Sequence, residues 1–423
     1  MQVNIDRISY PGTSVSAKTG KIILCDCGLP GETVRLCRLK EKKNYILAET
    51  CEIIKASPFR VEPRCAHYRI CGPYQYIDYS LQCRIKQDQL KEMSLRLAGK
   101  NFKPAEFRPS PLAWDYRNKI HLHLIRQKNR LSYAYHLRKQ QKKFEPLQEC
   151  FLVSRGINAF LRALLEKLDS DKIFFVKEVI VRENYDKKIL AGLICEKNYS
   201  KNRLKKILSG LTESFPLQGL VAGDKTNGRE SIIFGEPLLK EQILGSSFFL
   251  GINSFFQINR SAFENLLSDL ISILDLKGSE TLLDLYCGVG TIGMILAPLT
   301  ARVLSLESNR ENFELIGRNS GINRIKNISL YPGKSEDLAE TLLAQNPDLV
   351  IMDPPRKGLD KKLISALNAF LPPRLAYISC DPATLFRDLK KLLPGYDLAH
   401  FRGYDFFPQT PHIECLAVLE KKC

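Results

Sequence analysis

From residue 281 onward, short apolar runs recur at 281–286, 301–306, 328–331, 347–352, 374–379 and 413–419, with helical patterns between the earlier ones. This alternation constrains the chain more than any other feature. Strands separated by helix-length segments pair in parallel through crossover connections, which gives a doubly wound α/β domain with a mostly parallel sheet. In such sheets ligands bind beyond the carboxyl ends of the strands, so the residues at strand ends carry the functional information.

The first of these strands runs into "LLDLYCGVGTIGMILAP", in which Gly288, Gly290 and Gly293 satisfy the G-x-G-x-x-G pattern of dinucleotide-binding loops. Strand two, "ARVLSLE", ends at Glu307, where a carboxylate can accept both hydroxyls of a ribose. A nicotinamide or flavin oxidoreductase would supply both features. It has no evident use for "IMDPPRKGLD" after strand four, or for the cysteine of "YISCDPATL" at the tip of strand five. Asp353-Pro354-Pro355 resembles the fourth-strand motif of S-adenosylmethionine methyltransferases. There two prolines stiffen the loop, remove backbone donors and hold the carboxylate near the reacting centre. A single cysteine is most often a small buried hydrophobe. Cys380, at a strand end facing the cleft, is instead placed to attack an electron-poor pyrimidine ring, provided the site favours its thiolate. Glu414, at the start of the last strand, reaches the same cleft as a general base. His412, two residues earlier, reads as a structural or substrate-positioning residue.

Residues 1–240 hold 44 Lys and Arg against 25 Asp and Glu, whereas residues 241–423 hold 19 against 21. The positive field therefore belongs to the N-terminal portion, as expected of a basic module attached to a neutral cofactor module in an enzyme acting on nucleic acid. Segment 119–143 has eight Lys or Arg and no acid. Its alternation reads as a basic β-hairpin, with Tyr133 and Tyr135 interleaved for base stacking. Residues 1–57 read as short strands broken by turns, a small β-barrel of the oligonucleotide-binding kind. A helix is expected from about Ile85 to Leu97. Another opens at "NRSAFENLL", where Ser261 and Glu264 have capping-box spacing. No apolar run is long enough to span a bilayer, and the first residues show no apolar signal core. With thirteen cysteines and no export signal, the expectation is a cytoplasmic protein with reduced thiols rather than disulfides.

Five ordered stretches, "FFQIN", "LDLYCGVGTIG", "DPPRKG", "YISCDPATLFRDL" and "FPQTPHIE", together resemble the RNA uracil-5-methyltransferase family, and "LPGETV" with "SPFRVEP" resembles its TRAM domain. The resemblance implies three parts: a TRAM-like barrel over 1–57, a central basic α+β domain over 58–240, and a Rossmann-like methyltransferase domain over 241–423. It implies S-adenosylmethionine as cofactor, held by Gln257, Tyr286, Glu307 and Asp353. By the family mechanism Cys380 adds to carbon 6 of a uridine, carbon 5 takes the methyl group, and Glu414 removes the carbon 5 proton so that the thiol leaves. The implied partner is RNA, either 23S rRNA or tRNA, with no membrane and a monomeric chain. A cytosine-5 enzyme using the same thiol attack is the nearest alternative, and the carboxylate of "HIE" favours uracil. A catalytically silent RNA-binding scaffold is the other, and it would be free to lose Cys380, Glu414 and Asp353.

One departure concerns metal. Several members of the family hold a 4Fe-4S cluster through C-x5-C-x2-C and a distant fourth cysteine. Cys65 and Cys71 match the first two places and Cys150 the distant one, and Tyr74 occupies the third. Three readings stay open: the cluster is lost, Cys83 substitutes for the missing ligand, or the three thiols are structural. His67 with three cysteines also matches a zinc set. A phenol is a poor ligand for a soft cluster, so the expectation is a protein without one.

Overall fold

The structure is a computed structural model that describes residues 1–17, 20–98, 104–127, 130–136, 144–224 and 230–422. The chain divides into two compact units. One comprises Met1–Ala113, Pro354–Asp360 and Ala376–Cys423, and the other Trp114–Asp353 and Lys361–Leu375. Among the described residues no helix is long and apolar enough to cross a membrane.

The second unit carries the start of the parallel sheet: β1 (Thr281–Leu285), β2 (Arg302–Glu307), β3 (Ile328–Pro332) and β4 (Leu349–Met352). Their order is β3-β2-β1-β4, every neighbouring pair parallel. Leu282, Leu283, Leu285, Val350 and Ile351 are fully buried, which is why these strands read as unbroken apolar runs. The same unit holds a seven-stranded sheet built from residues 119 to 235, packed against helices Arg155–Ser170 and Lys201–Ser214.

The basic hairpin belongs to that sheet. Lys119–Gln127 pairs antiparallel with Arg130–His136, while residues 128–129 and 137–143 of the expected segment lie outside the described residues. The tyrosines correct the sequence reading. Tyr133 lies opposite Leu124 on the inward face and donates its hydroxyl to the Leu161 carbonyl, and Tyr135 packs on the same core. Tyr133 therefore offers no ring for stacking. Alternation shows that faces differ; only the register shows which face is covered.

In the first unit, six strands between Gln2 and Lys55 form one sheet around Val3, Ile5, Ile23, Val34 and Leu36. Gln2–Asn4, Arg7–Ser9 and Thr13–Ser16 are too short and too polar to stand out in the sequence. Contrary to the expectation of reduced thiols throughout, Cys37 and Cys51 form a disulfide, with Cα atoms 6.0 Å apart. Thr33–Glu41 and Tyr45–Lys55 are antiparallel neighbours, and that pairing brings together cysteines whose spacing in sequence gives no hint of it. The expected helix begins earlier, spanning Tyr79–Met93 with Asp78 as its cap. The helix at residue 260 is capped by Asn259, whose Oδ1 accepts the Ala262 N–H at 3.2 Å, and not by Ser261.

The C-terminal strands of this unit are β5 (Arg374–Ser379, from Ala376 on), β6 (Tyr396–Tyr404) and β7 (Glu414–Lys421), in the order β5-β7-β6 with β6 and β7 antiparallel. β6 was not expected. It is the edge strand, and exposed positions interrupt its apolar residues.

Candidate active site

In the second unit a pocket opens at the carboxyl end of β1. Its lining includes Phe256, Gln257, Phe263, Asp284, Tyr286, Gly288, Ile292 and Asp353. Three of the four expected cofactor residues, Gln257, Tyr286 and Asp353, thus share one pocket. The fourth, Glu307, ends β2 and accepts the Asn309 N–H at 2.6 Å; its charge reaches Asp284. The loop turns through left-handed backbone at Gly288 and Gly290 (φ 59° and 85°) and enters helix Thr291–Leu296. Gly293 serves close approach: its N–H donates to Asp284 Oδ2 at 2.9 Å, and a Cβ there would lie 2.8 Å from that oxygen.

Electrostatically the pocket is acidic, with Asp284 buried and Asp353 half-buried. Burial pushes the Asp284 carboxyl up to about 7; the Gly293 N–H opposes the shift, and Asp353 and Glu307 add to it. Asp353 is raised by burial as well. Flat apolar walls beside the Asp284 and Asp353 carboxylates fit a ligand with an aromatic base and a cationic amino-acid end, and such a ligand offsets the charge the carboxylates acquire.

Residues outside the recognised motifs hold this pocket in shape. Arg182 Nη2 and Lys119 Nζ both donate to the Ser254 carbonyl, at 2.5 and 3.4 Å, and Asn118 Nδ2 donates to the Gln257 carbonyl at 3.2 Å. They fix the loop that carries Gln257. Burial and the neighbouring Arg182 and Arg117 lower Lys119 to about 7. Asn319, fully buried, donates to the Val289 carbonyl at 3.1 Å and accepts the Phe249 N–H at 2.7 Å. None of these residues announces itself in the sequence, because each acts on a segment far along the chain.

The first unit holds the expected nucleophile and base. Cys380 follows β5 and immediately precedes helix Pro382–Leu392, whose cap Asp381 accepts the Ala383 and Thr384 N–H groups at 2.9 and 3.3 Å. A helix N-terminus favours negative charge nearby. Glu414, 1% exposed, opens β7 opposite Tyr404. Cys380, Asp381 and Glu414 all lie within electrostatic reach of the buried Cys415, whose thiol they and burial push upward. His412 packs its ring edge-on against Phe407, 5.8 Å between centroids.

Two buried anchors shape this half. Asp388, with no exposed surface, accepts the Leu359 N–H at 2.9 Å, the Tyr377 hydroxyl at 3.0 Å and the Arg387 guanidinium. It ties Pro354–Asp360 to the helix that follows Cys380. The segment leading to Glu414 is held from the Tyr79–Met93 helix. Lys86 Nζ pairs with Asp405 at 2.7 Å, both fully buried, and Gln82 exchanges hydrogen bonds with Gln409. Tyr74 belongs to this anchor: its N–H donates to the Gln409 carbonyl at 3.0 Å, and its hydroxyl accepts from Gln89.

The expected metal ligands divide. Cys65 and Cys71 are hydrogen-bonded to one another, and with His67 that contact holds the Cys65 thiol well below its ordinary range. Cys150 belongs to the second unit, where it accepts the Tyr135 hydroxyl at 3.4 Å. Cys83 lies within the helix, its thiol pushed up by burial to about 11. Among the described residues no group of three or more His, Cys, Asp or Glu is arranged to hold a metal ion.

Two proteins named as uncharacterised RNA methyltransferases, from Clostridium tetani and Synechocystis, are each 29% identical. They match 100% and 99% of this chain and 97% and 95% of their own length. The crystal structure of the Pyrococcus abyssi tRNA (uracil-54, C5)-methyltransferase, in complex with S-adenosyl-L-homocysteine, superposes with a TM-score of 0.79 at 24% identity. It covers 99% of this chain and 100% of that one, a likeness of fold. The pattern of the tRNA (uracil-5-)-methyltransferase family matches residues 78–422, and with it the chain belongs to that family.

Proposed function

We propose that this enzyme methylates carbon 5 of one uridine in a structured RNA, a tRNA or 23S rRNA, in the cytoplasm, through a covalent adduct on Cys380. The observation that carries the reading is the gathering of Cys380, Asp381 and Glu414 around Cys415, at the strand ends where an α/β sheet binds its ligands. The Cys380 thiolate adds to carbon 6 of the uracil, and the ring's electron pair moves into an enolate, making carbon 5 nucleophilic. S-adenosylmethionine, which Gln257, Tyr286, Glu307 and Asp353 would hold, would supply an electrophilic methyl group to that carbon and leave as the neutral thioether S-adenosylhomocysteine. Glu414 then takes the carbon 5 proton, the ring double bond reforms, and the thiolate leaves. The basic N-terminal half, with residues 1–57 as a TRAM-like barrel, grips the RNA. Mass-spectrometric mapping of 5-methyluridine in tRNA and rRNA, from cells with and without the gene, tests this. One position should lose its methyl group, and a complete set of unchanged sites overturns the proposal.

The carboxylates give a pH signature. Asp284 titrates near 7 in the folded chain and near 4 when unfolded, so the native state binds more protons between those values. The stability of the ligand-free protein therefore falls as pH rises from about 4 to about 7. S-adenosylmethionine carries a net positive charge and binds best to the ionised pocket. Its Kd should fall several-fold between pH 6 and pH 8, and Asp353→Asn should flatten that dependence. Calorimetry in buffers of different ionisation heat should show proton release on binding at pH 6.5. A flat profile with no release means the carboxylates do not meet the ligand's cation.

The grip on RNA is open to an equally direct measurement. Arg126 stacks on Phe174, 4.1 Å from the ring centroid, and Arg130 opens the paired strand. Replacing both with Gln, together with Lys128, which lies outside the described residues, should lower the slope of log Kd against log salt by about 2–3. S-adenosylmethionine affinity should stay the same. An unchanged slope makes the hairpin a solvated face.

A further inference from the structure

Tyr10 lies in the turn Ser9–Gly12, closed by the Gly12 N–H on the Ser9 carbonyl at 2.7 Å. That turn is seated on the segment leading into Glu414. A Cβ built on Gly12 would stand 3.2 Å from Pro411 Cβ and 3.2 Å from Tyr74 Cε1. The seat is rigid: Gln409, two residues before Pro411, is held by Gln82 and by the Tyr74 N–H. From it the half-buried phenol of Tyr10 lies within electrostatic reach of Asp381, Cys415, Arg356 and Cys380.

We propose that Tyr10 is a specificity-determining residue for the methyl transfer, its phenol donating a hydrogen bond to the carbon 4 carbonyl oxygen of the target uracil while Cys380 adds to the ring. The proposal rests on the reading of Cys380 as the nucleophile. A donor within electrostatic reach of that thiol is placed to meet the ring the thiol attacks. Burial, Asp381 and the two thiols push the phenol's ionisation above its ordinary value, against the pull of Arg356, so Tyr10 stays protonated and acts as a donor. It therefore cannot replace Glu414 as base. Uracil presents carbonyl acceptors on both sides of N3, whereas cytosine presents an amino donor at carbon 4. A site that offers donors from Tyr10 and Arg356 leaves that amino group without a partner. The N-terminal strands thereby supply one residue of the reaction site, in addition to any hold they have on the RNA.

The test is capture of an RNA carrying 5-fluorouridine at the target position. Fluorine on carbon 5 blocks the final proton removal, so the Cys380 adduct persists and its formation can be timed. Tyr10→Phe keeps the ring and the packing of the turn, and its melting temperature and RNA Kd should match the parent's within error. Its single-turnover rate of adduct formation should fall about tenfold, the size of one lost hydrogen bond to the reacting base. The preference for uridine over cytidine at the target position should narrow by a similar factor. Equal adduct rates in parent and variant overturn the proposal. So does weakened RNA binding at an unchanged rate, which makes Tyr10 a grip residue. If the parent itself forms no adduct, the reading of Cys380 fails first and takes this proposal with it.

Discussion

Cys380→Ala should lower methyl transfer by at least about a thousandfold while S-adenosylmethionine still binds with near-parental affinity. The two effects separate because the groups that perform them belong to different elements. The thiol follows β5, next to Asp381. The cofactor pocket is lined from β1, the glycine loop and the Gln257 segment, and Cys380 is absent from that lining. Alanine removes one sulfur from a half-buried position and leaves the Asp381 cap untouched, so the fold should lose little stability. Methyl transfer to a tRNA or rRNA transcript and calorimetry with S-adenosylmethionine measure the two quantities independently. Turnover within tenfold of the parent would mean that carbon 5 is activated without covalent attack. Loss of cofactor binding would mean that the thiol serves the cofactor pocket and not the covalent step alone.

How much of this was legible beforehand depends on how far each feature reaches along the chain. β1, β2, β4 and β5 were plain because strands buried on both faces are written as continuous apolar runs. β6 was not, because an edge strand with alternating exposure resembles a loop. The residues assigned to chemistry stand at strand ends inside short motifs, where local sequence is enough to nominate them. The groups that hold them in place do not. Lys86 acts on Asp405 across 319 residues, Gln82 on Gln409 across 327, and Asn319 on Val289 across 30. Each is an ordinary polar residue on an ordinary helix until folding supplies its partner. Tyr74 shows the point most sharply. The resemblance flagged it only as a missing cysteine, whereas the fold uses it as a buried contact for Gln409 and the Gly12 turn.

Glu414→Gln should produce the opposite phenotype to Cys380→Ala: an enzyme trapped on its substrate. If Glu414 acts only after methylation, its loss leaves both addition to carbon 6 and methyl transfer intact. Elimination then has no base and slows by about a hundred- to ten-thousandfold. The carboxamide nearly matches the carboxylate in volume, which suits a residue 1% exposed at the start of a buried strand. The neighbouring Cys415 is crowded by the charges of Glu414, Asp381 and Cys380, so removing one negative charge relieves that pocket. On denaturing gels the variant, incubated with RNA and S-adenosylmethionine, should run as a protein–RNA adduct. Adding Cys380→Ala should abolish that band, because the bond is to the thiol. Steady turnover at the parental rate would show that Glu414 is not the base. Lost turnover with no adduct would place its role before the carbon–sulfur bond forms, and the base for carbon 5 would then have to be sought among the other groups that face Cys380.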